Sequence, residues 1–205
     1  MTFSLRSASV QARRVLVLAG FGAATVLVGS ASACSGLTSI DASFENVTDT
    51  VDFYPINDSP PGAPTAIKLF TGLRARADET FSYDLAFDLT PEGAVKLIPV
   101  RALASAFAGP YSVGLQKIPD APFSTVVRAP KDGYVLDSTM TVGPGTVVVI
   151  QSFDLGRCGG QIKGQSYFSK IAVKSVDPAT RKITTVLTIN RNCGFRSFAE
   201  GKPKD

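Results

Sequence analysis

A stretch of strict alternation over residues 80–89 constrains the fold of this chain more than any other feature of its sequence. Large apolar side chains occupy every second position, namely Phe81, Tyr83, Leu85, Phe87 and Leu89. The positions between them carry small or acidic side chains, namely Ser82, Asp84, Ala86 and Asp88. Because successive side chains of a β-strand point to opposite faces, the pattern predicts a half-buried antiparallel strand. It also predicts that Asp84 and Asp88 share a solvent-facing side.

Similar segments recur along the chain and are separated by turns rich in Gly, Asp and Pro. Residues 169–176 and 182–190 are predicted to form a hairpin, and 146–150 is a continuous β-branched run. Alternation also places one group of side chains on a common strand face, namely Tyr134, Leu136, Met140 and Val142. The pattern predicts an all-β domain, an antiparallel sandwich or barrel of about eight to ten strands. The helical candidate is the alanine-rich segment 100–108, with an expected length of two or three turns.

The first 33 residues have the composition of a secretory signal. Three arginines precede an apolar run over residues 15–28, and small residues then lead to Ala31-Ser32-Ala33. A basic start, a short apolar segment and small residues at the cleavage point are typical of a signal peptide. We therefore expect residues 1–33 to be removed on export. A permanent membrane span is the weaker interpretation, because a span needs about 20 apolar residues and glycines interrupt this run.

Cys34 follows the expected cleavage point directly. The sequence Ala31-Ser32-Ala33-Cys34 resembles the lipobox of bacterial lipoproteins, in which a cysteine after small residues receives diacylglycerol. The resemblance implies an envelope protein anchored through lipid on Cys34, in the outer membrane if the cell is Gram-negative. Ordinary cleavage after Ala33 is the alternative, and would give a secreted protein with a bare Cys34. Residues 34–42 are predicted to form a lipidated tether, and residues 43–205 a single β-rich domain.

The number of cysteines favours acylation of Cys34. The chain has three cysteines, and exported proteins normally leave no odd thiol. If Cys34 is acylated, Cys158 and Cys193 remain as one pair for a structural disulfide. A redox pair usually has the closer C-x-x-C spacing, and a zinc site normally takes four nitrogen or sulfur ligands. With no histidine in the chain, a structural disulfide is the better interpretation.

The net charge of +4 depends largely on the signal segment. Without its three arginines, the chain keeps 18 basic against 17 acidic side chains. Nucleic-acid-binding domains concentrate basic residues in a stripe or patch, whereas these charges are spread singly. The sequence therefore predicts no nucleic-acid partner.

The absence of histidine excludes several chemistries at once. Ser-His-Asp and Cys-His nucleophilic catalysis and histidine-based zinc hydrolysis all require it. The segment 159–166 has the spacing of a phosphate-binding loop, but Gln165 stands where that loop needs lysine. A glycine-rich turn beside the disulfide is the better interpretation. No calcium-binding loop is present, and neither a cofactor nor a metal is predicted.

Carboxylates and aromatic rings are the remaining candidates for function. Glycoside hydrolysis needs two carboxyl groups about 5–9.5 Å apart, and the acids considered are Asp78, Glu79, Asp84, Asp88, Asp137 and Asp154. Along one strand the Cα atoms of Asp84 and Asp88 would lie about 13 Å apart. Aromatic residues that could form a binding surface are Phe53, Tyr54, Phe107, Phe195 and Phe198, although a core role suits most of them better.

Two functional hypotheses follow. The first is a non-catalytic binding or structural module of the cell envelope, whose partner is an envelope protein or polysaccharide and whose loops extend from a rigid β scaffold. The second is a carboxylate-based hydrolase of envelope or extracellular polymers. The two differ in whether folding brings two carboxyl groups together in one cleft.

Overall fold

A computed structural model describes residues 41–79, 82–104, 111–160 and 164–204. Within these ranges eleven strands form two antiparallel sheets that pack on each other as a β-sandwich. The six-stranded sheet has the order β1 (Val47–Phe53), β11 (Ile183–Asn190), β10 (Ser166–Val176), β9 (Val147–Asp154), β6 (Tyr111–Ile118) and β7 (Val135–Leu136). The five-stranded sheet has the order β3 (Leu73–Ala75), β2 (Ala66–Lys68), β4 (Leu85–Leu89), β5 (Val95–Pro99) and β8 (Met140–Val142).

The predicted all-β fold is confirmed, in its sandwich form. The strand count slightly exceeds the expectation because four of the eleven strands have only two or three residues, too few for alternation to reveal. The helices are single turns, α1 (Val100–Leu103) and α2 (Leu155–Cys158), with a 3-10 turn at Phe123–Thr125. The helix predicted over 100–108 is wrong in its extent, because it ends at Leu103 and Ala104 has a non-helical φ of −143°. Residues 105–110 lie outside the described ranges. No helix among the described residues has the length and apolar character needed to cross a membrane.

The main core lies between the two sheets. Phe53 at the end of β1 stacks on Phe87 of β4 with their ring centroids 4.0 Å apart, so this pair joins the two layers directly. Fully buried aliphatic side chains from both sheets surround the pair, namely Ile67, Leu69, Leu85, Leu97, Leu115, Ile150, Ile171 and Ile183. Burial of such side chains contributes about 1.5–3 kcal/mol each, which makes this interface the main source of stability.

The predicted hairpin of β10 and β11 is confirmed. Ile183 pairs with Val176 across the turn, and the Asp177 carboxylate accepts hydrogen bonds from the backbone N–H of Ala179 and Thr180. The hydroxyl of Thr180 also donates to this carboxylate and is the main cause of the lowered pKa of Asp177. The two backbone N–H groups lower this pKa further. The turn therefore has the Asx chemistry that its sequence indicates.

The common face predicted for residues 134–142 is wrong. β7 pairs with β6 in one sheet, whereas β8 pairs with β5 in the other. Asp137 lies between the two strands with a left-handed φ of 48°. Its carboxylate accepts hydrogen bonds from Ser112 Oγ and the N–H of Val113. The chain thus changes sheets at Asp137, and this change breaks the alternation.

A third layer covers the outer face of the six-stranded sheet. Residues 121–134 and Phe198 pack on apolar side chains of β9 and β10, namely Val147, Val149, Phe168 and Ala172. Lys170 of β10 lies beneath this layer and is only 4% exposed. Its ammonium donates to the carbonyl oxygens of Phe123 and Val126 at 2.7 and 2.9 Å. The ring of Phe123 lies over the same ammonium at 4.1 Å. Burial lowers the pKa of Lys170.

We predict that Lys170→Met loosens this layer. The substitution keeps the apolar stem but leaves two carbonyl oxygens without their donor, which we expect to destabilise the protein by about 1–3 kcal/mol. Hydrogen exchange should then accelerate in residues 123–129 more than in the central strands. Lys174→Met is the matched control, because Lys174 is exposed on the same strand. Equal stability and exchange in both variants would show that the Lys170 ammonium does not hold the layer.

Candidate functional site

The disulfide joins Cys158 of α2 to Cys193, which follows β11. Asp154 caps α2 by accepting a hydrogen bond from the N–H of Arg157, which positions Cys158. Cys158 is fully buried against the main core. The bridge closes a loop with a sequence separation of 35, for which loop entropy gives about 3–4 kcal/mol of stability. The predicted pairing of these two cysteines is thus present in the fold, and Cys34 lies outside the described residues.

The described domain begins beside this disulfide. The side chain of Asn192 accepts a hydrogen bond from the N–H of Phe44 and donates one to its carbonyl oxygen. Asn46 pairs through its backbone with Gly201, and its side chain donates to the carbonyl oxygens of Ser197 and Ala199. The first residues of the domain are therefore fixed to its last residues at the disulfide end of the sandwich.

Two aromatic rings lie between two guanidinium groups at the same end. Arg191 lies over the ring of Phe44 at 5.0 Å, and Phe44 contacts Phe70 edge-on at 6.4 Å between centroids. Arg157 lies over the other ring, with its guanidinium carbon 4.4 Å from the centroid of Phe70. Phe44 is 42% exposed. This row of four side chains contains surface aromatic contacts that the sequence did not indicate.

The solvent-facing position predicted for Asp84 and Asp88 is wrong for both residues. β4 begins only at Leu85, because the chain bends at Asp84. The bend sends Tyr83 into a second apolar cluster on the outer side of the sheet, while the fully buried carboxylate of Asp84 meets Tyr167 of the opposite sheet. Asp88 does lie on the outer side, but Asn57 of the proline-rich loop donates to its carboxylate at 3.3 Å and the residue is 8% exposed.

Asp84 is the centre of a polar network between the sheets. Its Oδ1 lies 2.7 Å from Lys68 Nζ, and its Oδ2 accepts hydrogen bonds from the N–H of Leu69 and the hydroxyl of Tyr167, at 2.7 and 3.0 Å. The hydroxyl of Tyr111 lies 3.4 Å from that of Tyr167, and Lys68 Nζ lies 4.7 Å from the Tyr111 ring centroid. Burial, and then the charge of Asp84, raise the pKa of both phenols. Both tyrosines are therefore neutral hydrogen-bonding groups over a wide pH range.

The other candidate acids have structural partners. Arg76 forms ion pairs with Asp78 and Glu79 at 2.7 and 3.0 Å, while its other nitrogen donates to the proline-rich loop. Asp154 is the α2 cap, and Asp137 holds the change of sheet described above. Each acid thus has a local role, and none of these contacts joins one carboxylate to another.

The proposed aromatic surface is also corrected. Phe53, Phe195 and Phe198 are buried in the fold, and Tyr54 is partly buried. Phe107 lies outside the described residues. Their burial supports the core role.

Three of the domain's pockets lined by described residues bear on function. Two of them flank Pro144 at the end of the sandwich opposite the disulfide, with volumes of about 590 and 470 Å³. The first contains Glu92 and Arg181, and the second contains Asp120 and Lys117. The third, of about 370 Å³, lies on the outer face of the six-stranded sheet. Each of these pockets has at most one carboxylate. In the part of the chain that the structure describes, no three acidic or cysteine side chains come together as a metal site.

These features define a disulfide-linked β-sandwich in which Phe44 and Asn46 are fixed to the C-terminal segment near the disulfide. No protein-family model, curated protein or solved structure matches this chain. Its function must therefore be argued from its own residues.

We predict that Asp84→Asn is more destabilising than Asp88→Asn. The Asp84 variant leaves the Lys68 ammonium without its charge partner, and the side chain of Lys68 is only 19% exposed. We expect the free energy of unfolding to fall by about 3 kcal/mol. The Asp88 variant loses only the charged acceptor of the 3.3 Å hydrogen bond from Asn57. Its free energy of unfolding should fall by about 1 kcal/mol or less. Urea unfolding of both variants measures the difference. Equal losses would show that Asp84 is not the centre of the network.

We also predict a specific alkaline sensitivity. The folded-state pKa of Tyr167 is raised above its ordinary value of 10.0, so the stability linked to this phenol is fully present below pH 10 and is lost as the pH rises towards the folded pKa. Unfolding free energy measured against pH should therefore fall above pH 10. In Tyr167→Phe the slope should be shallower by up to about 1.4 kcal/mol per pH unit. Identical slopes would contradict the assignment.

Proposed function

We propose that this chain is a bacterial envelope lipoprotein whose β-sandwich is a non-catalytic binding or structural module. In this proposal residues 1–33 are a cleaved signal peptide and Cys34 carries the lipid. The membrane is the outer membrane if the cell is Gram-negative. The partner is an envelope protein or polysaccharide, and a secreted form with a bare Cys34 is the alternative.

The disulfide is the observation that carries the proposal. It pairs Cys158 with Cys193, so Cys34 is the remaining one of the three cysteines. Structural disulfides persist in oxidising compartments, which agrees with export. An exposed thiol at the N-terminus is anomalous in such a compartment, and acylation removes the anomaly.

The position of the domain's first residues suits a short anchor. Seven peptide links separate Cys34 from Asp41, so even a fully extended chain spans only about 25 Å. Phe44 is then fixed to Asn192 at the disulfide end. A domain held by such a tether keeps this end close to the bilayer. The two pockets beside Pro144 lie at the opposite end, where partners would have access.

The distribution of acids favours a binding module over a hydrolase. Hydrolysis by two carboxylates needs both groups within about 9.5 Å on either side of a substrate. The three pockets described above have at most one carboxylate each. Asp84, the most buried acid, has its oxygens engaged by Lys68, Leu69 and Tyr167. The carboxylate-based hydrolase remains the alternative prediction.

We predict that Cys34→Ser releases the protein from membranes. Cells expressing the full chain should incorporate an alkyne-labelled fatty acid into it, and the protein should fractionate with membranes. Cys34→Ser should abolish both the label and the membrane association, because stable anchoring depends on the acyl chains. The domain itself should keep the stability of the unsubstituted chain, since Cys34 lies outside it.

Cys193→Ser is the control for this experiment. It removes a different cysteine, so it should lower stability and leave the fatty-acid label intact. A Cys34→Ser variant that stays in the membrane fraction would favour an uncleaved N-terminal span. An unlabelled chain found in the medium would favour the secreted alternative.

A further inference from the structure

The pocket on the outer face of the six-stranded sheet has a different character from the two beside Pro144. It lies where β9 and β10 pair, with Gln151 directly opposite Phe168. Its described lining is Lys131, Gln151, Gly164, Gln165, Ser166, Phe168, Gly194 and Arg196. Its volume of about 370 Å³ falls within the range of roughly 300–1,000 Å³ that is typical of ligand pockets. We call it the basic pocket.

The described lining of the basic pocket contains cations and no carboxylate. Lys131 and Arg196 line it, and none of its described lining residues is acidic. Each pocket beside Pro144 instead combines one cation with one carboxylate. Asp132 follows Lys131 but is exposed and does not line the pocket. Two cations at one concave surface favour a ligand that carries negative charge.

The remaining polar groups suit hydroxyl-rich ligands. Gln151 and Gln165 each provide a carboxamide with two donors and an acceptor. Gln151 Nε2 donates to Ser166 Oγ at 3.3 Å, so this amide and hydroxyl already form one oriented pair. Ser166 is 8% exposed. Phe168 adds an apolar surface next to these groups. Carboxamides, a hydroxyl and cations together can bind both the hydroxyl and the acidic groups of an acidic sugar.

The backbone holds these groups before any ligand arrives. The N–H of Ala129 donates to the carbonyl oxygen of Arg196 at 2.8 Å, which brings the segment with Lys131 beside the C-terminal segment. The N–H of Gly194 donates to the carbonyl oxygen of Ser166 at 2.8 Å. Gly164 approaches so closely that a Cβ there would lie 3.3 Å from the Cα of Gly194. Glycine at these two positions allows the two backbone segments to approach this closely.

We infer that the basic pocket binds an acidic residue of a saccharide polymer, with Lys131 and Arg196 contacting the acid and Gln151, Gln165 and Ser166 the hydroxyl groups. The inference deepens the binding module proposed above and rests on it for the setting in the envelope. It does not depend on acylation of Cys34. Its ligand class is an anionic saccharide, whose acid is a uronate carboxylate.

Calorimetric titration of the full chain, purified from the cells that make it, tests the inference with three probes. These are trigalacturonate, the neutral trisaccharide maltotriose, and inorganic phosphate. Trigalacturonate should bind at least about tenfold more tightly than maltotriose, because hydrogen bonds to a charged group are the stronger ones. Equal binding of the two trisaccharides, or binding of neither, would overturn the inference. Tighter binding of phosphate than of trigalacturonate would overturn the saccharide part.

Variants at the pocket make the test specific. Lys131→Glu reverses the charge of an exposed side chain and should abolish trigalacturonate binding without changing the thermal midpoint. Lys117→Glu makes the same charge change at the exposed edge of a pocket beside Pro144 and should leave the affinity unchanged. Equal effects of the two variants would mean nonspecific attraction and would contradict the site.

The same samples separate this inference from the wider proposal. Chromatography of trigalacturonate after incubation should recover it intact, and cleavage would instead favour the hydrolase. If Cys34 carries lipid but trigalacturonate does not bind, the basic pocket is wrong and the envelope lipoprotein stands. If trigalacturonate binds but Cys34 is bare, the pocket stands and the anchor is wrong.

Discussion

The buried carboxylate of Asp84 is the interaction on which the arrangement of the two sheets depends. Its two oxygens engage Lys68 and Leu69 at the end of β2 and Tyr167 of β10, and its carbonyl oxygen accepts from the N–H of Val100 at the start of α1. A charge removed from water is stabilising only when its partners are in place. Hydrogen bonds are directional, whereas hydrophobic burial is not. The Asp84 network therefore links defined atoms of the two sheets at one point, while the core provides most of the stability.

A second set of contacts closes the same end of the sandwich. The disulfide fixes α2 to the segment after β11, and Asn190 and Asn192 bond to one another and to the backbone of Phe195 and Phe44. The C-terminal segment, held this way, can cover Lys170 and form a wall of the basic pocket. Because one end carries the disulfide and the bridge between Asn46 and Gly201, the loops of the opposite end are free of these constraints. An anchor on the N-terminal side is compatible with that asymmetry.

The local features of the fold could be predicted from the sequence, because they depend on neighbouring residues. Alternation gave β10 and β11, and Asp177 gave the turn between them. The position of Asp84 could not be predicted, since the bend that buries it is stabilised by Tyr167, 83 residues away. A weak signal existed: Lys68 and Asp84 carry opposite charges and each is flanked by large apolar residues. Asp88 was misplaced because alternation carries no information about the loop with Asn57 that folds over it.

The basic pocket lies where the side chains on the outer face of β9 and β10 change from apolar to polar. On the outer face, Val147 and Val149 of β9 and Ala172 of β10 are apolar and covered, whereas Gln151 and Ser166 nearer the disulfide end are polar. Gln151 and Ser166 instead line a concave surface together with Lys131 and Arg196. None of the described lining residues is acidic, so this surface attracts anions, which is the physical reason to regard it as a site.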